Sequence, residues 1–321
     1  MARHALQGII VPTVLPMTSD GLLDRPSLEC HLNALIDAGV HGLWVNGTTG
    51  EFHALDEDAR GAAVHVTVKT AAGRVPVIAH VGDAATPLSI RQARAALDAG
   101  ADEVAVIAPY FTPYGREELR DHYRAVADAL GRPVLAYHFP QLTPSALTVD
   151  CVLRLTEEGV LRGLKDSTGD MTWLRRVLRG AARRDLDLAC FAGASGLSDI
   201  ALYAGAAGAT SSLANVTPHT LVALYEAARS GDFTYARALQ ERLEDLLDAM
   251  AAARHEHTLS TTVSTGKHIL AALGRIESAH AAPPLARLDA EEERRLDDSV
   301  VPLVRELEAA ALDAKERGDD A

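Results

Sequence analysis

Of the 31 lysine and arginine residues in this 321-residue sequence, only Lys69, Lys165, Lys267 and Lys315 are lysines. A guanidinium stays protonated near neutral pH, whereas an amine can lose its proton to its surroundings and attack a carbonyl carbon. Lys165 is placed for such work. It ends the apolar run Gly159-Val160-Leu161-Arg162-Gly163-Leu164-Lys165 and precedes the polar turn Asp166-Ser167-Thr168-Gly169-Asp170, the pattern of a strand whose last residue stands at a rim. The other lysines read as solvated charges: Lys69 ends a helical stretch, Lys267 opens another and Lys315 lies in a charged tail.

Two further segments offer complementary groups. Asn46-Gly47-Thr48-Thr49-Gly50-Glu51 sets two threonines between glycines, so that N–H groups and hydroxyls can converge on a small anion such as a carboxylate. Tyr137-His138-Phe139-Pro140 ends another strand-like run. Strand alternation puts Tyr137 and Phe139 on one face and His138 on the other, and a tyrosine at a rim can shuttle a proton.

Holding these groups together requires many strands with their ends at one rim. From about residue 7 to 228 the chain repeats a short β-branched run, a turn, an Ala/Leu/Arg-rich helix and a stop that in several repeats is a glycine. The strand-like runs are 8–13, 42–46, 76–80, 103–108, 133–138, 161–165, 188–192 and 208–211, with helix-like segments between them. Asp56, Ser145 and Thr217 are the expected N-caps. Eight strand–helix units predict an α/β fold, a (β/α)8 TIM barrel. A doubly wound sheet would place a Gly-rich dinucleotide turn after the first strand, where Val11-Pro12-Thr13-Val14-Leu15-Pro16 stands instead. Beyond residue 230, segments 231–255, 262–274 and 289–314 read as helices. The expected organisation is a catalytic barrel over 1–229 and a C-terminal helical extension over 230–321.

In this strand order, N-G-T-T-G-E after strand two, Y-x-x-P after strand five and G-x-K-D-S/T at strand six resemble the dihydrodipicolinate synthase / N-acetylneuraminate lyase family. The likeness runs from about residue 5 to about residue 310, given a barrel plus appendix. The resemblance implies a class I aldolase that handles pyruvate through a Schiff base, with no metal or organic cofactor. Lys165 would form the iminium and Tyr137 would shuttle protons. Thr48 and Thr49 would bind the carboxylate and, through a hydroxyl, orient Tyr137, which makes Thr49 catalytic as well as substrate-binding. Gly193, Ser167, Ser195 and Ser212 would border the substrate. It also implies a homotetramer, a dimer of dimers.

Departures from the family pattern narrow the substrate. Condensing synthases carry an arginine two residues after the Y-x-x-P proline, where this chain has Leu142, and a borrowed tyrosine in P-Y-Y, where it has Phe111 after Tyr110. Sialic acid lyases carry an acidic pair after the strand-seven glycine, where Gly193-Ala194-Ser195-Gly196 stands. Aldolases of 2-keto-3-deoxy sugar acids fit best, with pyruvate and an aldehyde as the small-molecule partners. Gly205-Ala206-Ala207-Gly208 is expected to line the sugar-acid site. The rival readings are a Schiff-base dehydratase of a keto-deoxy sugar diacid, a dihydrodipicolinate synthase-like or N-acetylneuraminate lyase-like enzyme, and a non-catalytic barrel that binds a keto acid.

The bulk numbers exclude other classes. A formal charge of −13 argues against nucleic acid as a partner. No apolar run approaches 18 residues, so no membrane span is expected. Residues 1–16 lack the long apolar stretch of a signal peptide. Cys30, Cys151 and Cys190 lack C-x-x-C spacing and read as buried thiols of a cytoplasmic protein. Arg254-His255-Glu256-His257 reads as a solvated helix end rather than a metal site.

Overall fold

The computed structural model describes residues 6–318. Residues 1–5 of the opening segment and 319–321 of the charged tail lie outside them. Eight parallel strands close into a barrel in chain order: β1 (Gly8–Pro12), β2 (Gly42–Val45), β3 (Val77–His80), β4 (Glu103–Ile107), β5 (Val134–His138), β6 (Leu161–Asp166), β7 (Ala189–Ala192) and β8 (Gly208–Ala209). Each is followed by a helix: α1 (Arg25–Asp37), α2 (Glu57–Ala71), α3 (Thr86–Asp98), α4 (Arg116–Leu130), α5 (Val149–Glu157), α6 (Met171–Arg183), α7 (Ser198–Tyr203) and α8 (Pro218–Ser230). Then come α9 (Phe233–Ala252), α10 (Leu259–Ala272), α11 (Ala290–Arg295) and α12 (Val301–Arg317), the last two joined by a π-helical turn at Leu296–Val300. None of these helices is long and apolar enough to cross a membrane.

Alternation along the strands sorts the core into two shells. Ile10, Trp44, Ile78, Ala105, Ile107, Leu135, Tyr137 and Phe191 fill the barrel interior. Their neighbours Ile9, Val11, Leu43, Val45, Val77, Ala79, Val104, Val106 and Ala136 point outward and pack under the helices. The register pairs Ile107 with Tyr137, Tyr137 with Lys165, and Lys165 with Phe191. Lys165 is therefore an inward residue of the interior shell.

Several local expectations change. β6 runs one residue further than expected, through Asp166, which pairs with His138 on β5. Asp56 does cap α2, accepting from the Ala59 N–H at 2.8 Å. The cap of α5 is Thr148, which accepts from the Cys151 N–H, and not Ser145, whose hydroxyl accepts from the Tyr114 N–H. Thr217 occupies the N-cap position of α8, but its hydroxyl turns back and donates to the Leu213 carbonyl. Cys30 is exposed rather than buried, because it falls on the solvent side of α1; Cys151 and Cys190 are buried. Gly205-Ala206-Ala207-Gly208 leads into the first residue of β8, where the Gly8 N–H donates to the Ala207 carbonyl. It therefore lies at the end of the barrel opposite the strand C-termini and cannot line a site at that rim.

Candidate active site

Lys165 is 4 % exposed and buried in the barrel mouth. Its Nζ lies 4.3 Å from the centroid of the Tyr137 ring and 5.0 Å from that of Trp44. Among the described residues no carboxylate forms an ion pair with it. Burial without a counter-ion penalises the ammonium form and lowers the amine to about 7. A substantial fraction of Lys165 is thus the free amine at neutral pH, the protonation state a nucleophile requires.

The space beside this amine depends on Gly193, just beyond the end of β7. A Cβ there would lie 3.2 Å from Lys165 Cε and 2.1 Å from Ser167 Oγ, so a side chain at this position would displace both. Tyr137, one strand away from Lys165, is 2 % exposed, and its hydroxyl lies 3.0 Å from Thr48 Oγ1. Burial raises the phenol to about 12, while hydrogen bonds with Thr48 and Ser167 oppose the shift. Tyr137 is therefore a neutral hydroxyl at neutral pH, held between two others.

The turn after β2 sets its two threonines on the borders of two cavities. Asn46 (φ 57°) and Glu51 (φ 59°) are its left-handed residues. Gly47 serves a different need, since a Cβ there would sit 3.0 Å from the Trp44 ring. The N–H groups of Thr48 and Thr49 have no acceptor among the described residues. Thr48 borders a cavity of about 210 Å³ with Phe52, His53, Ile107, Tyr110, Leu142, Thr143 and Leu259. Thr49 lies instead with Ser212 against a smaller cavity of about 60 Å³, closed by residues of α10. The threonine hydroxyl that meets Tyr137 is thus that of Thr48; among the described residues no hydrogen bond joins Thr49 to the phenol.

The remaining expected residues fall into separate groups. Ser167 sits beside Lys165 and Tyr137. Ser195 accepts a 2.8 Å hydrogen bond from Ser211, and its carbonyl is held by Gln240 of α9. Glu244, also on α9, approaches the same loop: a Cβ on Gly196 would lie 2.7 Å from its carboxylate. Tyr110 turns inward, its hydroxyl donating to Asp83 at 3.3 Å, whereas Phe111 is 85 % exposed. Asp83 is held in turn by buried Arg60 at 3.0 Å.

The buried pair of Glu51 and Lys267 escaped the reading of the sequence, in which Lys267 passed for a surface charge. Both side chains are fully buried and ion-paired. The other Glu51 oxygen accepts from the Ala282 N–H at 2.6 Å, and Lys267 Nζ donates to the His280 carbonyl at 2.7 Å. The Glu51 N–H closes the catalytic turn on the Thr48 carbonyl. This pair therefore joins that turn to the C-terminal extension. The signal available in the sequence was that Lys267 stands within the uncharged stretch Leu259–Gly266 and His268–Gly274.

Comparison with known proteins agrees with this geometry. The sequence profile of the dihydrodipicolinate synthetase family matches residues 5–301. An uncharacterized DapA-like lyase of Halobacterium salinarum is 36% identical over 245 residues, which cover 76% of this chain and 79% of that one. The 4-hydroxy-tetrahydrodipicolinate synthase 1 of Streptomyces coelicolor is 36% identical over 280 residues, covering 87% and 88%. Among solved structures, YagE of E. coli K12, a prophage protein of the dihydrodipicolinic acid synthase family crystallised with pyruvate, superposes with a TM-score of 0.86 at 29% identity, covering 95% of this chain and 99% of that one. A closed barrel carrying an unpaired lysine at its mouth and a match over nearly its whole length lead to one assignment: the chain belongs to the dihydrodipicolinate synthetase family, and with it to the pyruvate-dependent carbon–carbon lyases.

Proposed function

We propose that the protein reversibly cleaves a 2-keto-3-deoxy sugar acid to pyruvate and an uncharged aldehyde through a Schiff base on Lys165. The observation that carries this reading is a buried, unpaired amine lowered to about 7 next to a phenol hydrogen-bonded to Thr48. The neutral amine adds to the C2 ketone of the substrate. Tyr137 gives its proton to the carbinolamine hydroxyl, which leaves as water, and the tyrosinate is stabilised by the new iminium. The tyrosinate then takes the proton of the C4 hydroxyl. The C3–C4 electron pair flows into the iminium, the aldehyde departs and an enamine remains. Protonation at C3 and hydrolysis return pyruvate and the free lysine. The unpaired N–H groups of Thr48 and Thr49 suit the C1 carboxylate.

The cavity beside Thr48 supports an aldehyde half without a second carboxylate. Its walls are mostly apolar, and Leu142 stands where an arginine would be needed. A dicarboxylic substrate, whether a semialdehyde product or a sugar diacid for dehydration, would find no lysine or arginine among the described residues that line this cavity. The expected homotetramer rests on the family pattern, in which Phe111, exposed on this chain, would lie near a partner's active site. The test is a product assay on a panel of 2-keto-3-deoxy acids with and without a terminal carboxylate. Pyruvate release from the monocarboxylic members supports the proposal. Water loss without pyruvate, or turnover of the diacids alone, contradicts it.

A further inference from the structure

A cavity of about 300 Å³ lies between α10, α11 and the segment that joins them. It shares no lining residue with the cavities beside Thr48 and Thr49. Ser264 and His268 of α10, Ser278, His280 and Arg287 of the joining segment, and Glu293 of α11 stand in its wall. The joining segment has two duties. Its backbone holds the seam with the barrel: the His280 carbonyl accepts from Lys267 and the Ala282 N–H donates to Glu51. Its side chains at Ser278, His280 and Arg287 line the cavity.

Most polar groups of this wall are engaged. The Ser264 hydroxyl donates to the Ala286 carbonyl, and His268 pairs with Asp297 at 2.9 Å. Ser278 Oγ accepts from the His280 N–H at 3.1 Å, which leaves its own proton to donate. Two charges are left over. Arg287 has no carboxylate partner among the described residues; its Nη2 donates to His280 Nδ1 at 3.4 Å. The Glu293 carboxylate makes no ion pair or hydrogen bond among the described residues. The two line one cavity and do not pair with each other. Unlike charges held apart across a cavity complement a ligand that carries the same two charges. A guanidinium offers parallel N–H donors that match a carboxylate, and a carboxylate accepts from an ammonium. An anion alone would meet Glu293, and a cation alone would meet Arg287. The volume is at the small end for ligand pockets.

We infer that this cavity is a binding site for a small zwitterion, a molecule with one carboxylate and one ammonium. The carboxylate is held by Arg287 and the Ser278 hydroxyl, and the ammonium by Glu293. The site is separate from the barrel mouth and does not depend on the Schiff-base reading. A ligand bound there rests on the segment whose backbone holds Glu51 and Lys267.

The experiment measures Tm of the full chain with glycine, β-alanine and γ-aminobutyrate, whose charges stand progressively further apart. Butyrate and butylamine at the same ionic strength are the single-charge controls. At least one zwitterion is expected to raise Tm saturably, and neither control is. Arg287→Gln and Glu293→Gln, both at exposed positions, are each expected to weaken the half-saturating concentration about tenfold. The charge swap Arg287→Glu with Glu293→Arg is expected to recover most of the binding, since a zwitterion can lie the other way round; a structural role for either side chain would not give this recovery. Stabilisation by none of the three zwitterions overturns the inference. So does a shift that butyrate or butylamine matches, or one that survives either single substitution. A swap that recovers nothing overturns recognition by two opposed charges.

Discussion

Lys165 and Lys267 are both withdrawn from water, yet their surroundings oppose each other. At the barrel mouth Lys165 faces the rings of Trp44 and Tyr137 and, among the described residues, has no carboxylate partner. In the seam between barrel and extension Lys267 has the Glu51 carboxylate and the His280 carbonyl. Burial lowers both amines, but for Lys267 the attraction of Glu51 works against it. The same side chain is thereby a nucleophile in one place and a rivet in the other. The difference teaches that burial alone does not make a lysine reactive; burial without a counter-ion does.

The largest effect expected from breaking this contrast is at Lys165. Lys165→Met removes the nucleophile, and turnover should fall by about 10⁴-fold or more, measured as pyruvate release. The same change should raise stability, because an amine held neutral at the expense of folding is gone. The sign follows from linkage. The folded chain releases the Lys165 proton near 7, whereas the unfolded chain keeps it up to the ordinary 10.5. Between those values the unfolded state binds more protons, so wild-type stability rises with pH across that window and the penalty is complete below 7. Denaturant curves should therefore show the gain from Lys165→Met larger at pH 6 than at pH 10.

Next comes the proton relay. Tyr137→Phe should lower kcat about 10²- to 10⁴-fold, with pyruvate affinity changed far less. Equal losses in kcat and affinity would mean that the ring, and not the hydroxyl, matters.

The seam should respond in the opposite direction to the mouth. Lys267→Met leaves the Glu51 carboxylate buried and unpaired and should destabilise the chain by about 3–5 kcal/mol in chemical denaturation. Adding Glu51→Gln removes the stranded charge, so the double variant should be more stable than Lys267→Met alone. A double variant that loses the sum of the two single losses would show that the residues do not act as a pair.

The smallest effect is the pH dependence of adduct formation. Trapping by borohydride should rise with pH through an apparent value of about 7 and then level off. A limb that keeps climbing toward 10 would mean an ordinary, solvated lysine.

How much of this was legible in the sequence follows from how local each feature is. The barrel could be read because each strand–helix unit repeats the same pattern within about 30 residues. Lys165, Tyr137 and Thr48 could be read because strand ends of a barrel share one rim. The Glu51–Lys267 pair was missed: the uncharged stretch around Lys267 hints that it is dry, but its partner comes from a distant segment that only packing brings to it. The same holds for the Arg60–Asp83–Tyr110 chain and for Glu244 beside Gly196. Gly205–Gly208 was misplaced because composition does not say at which end of a strand a glycine-rich loop lies. Which of Thr48 and Thr49 meets the phenol could not be read, because adjacency in a turn does not reveal which of two consecutive hydroxyls reaches Tyr137.

The most direct test of the contrast between the two lysines uses both in one sample. The protein is incubated with pyruvate and borohydride, digested, and its lysine peptides are examined by mass spectrometry. A reduced pyruvyl adduct on Lys165, with Lys267 unmodified, is the expected result. An adduct on Lys267, or none on Lys165 in the folded protein, would contradict the account.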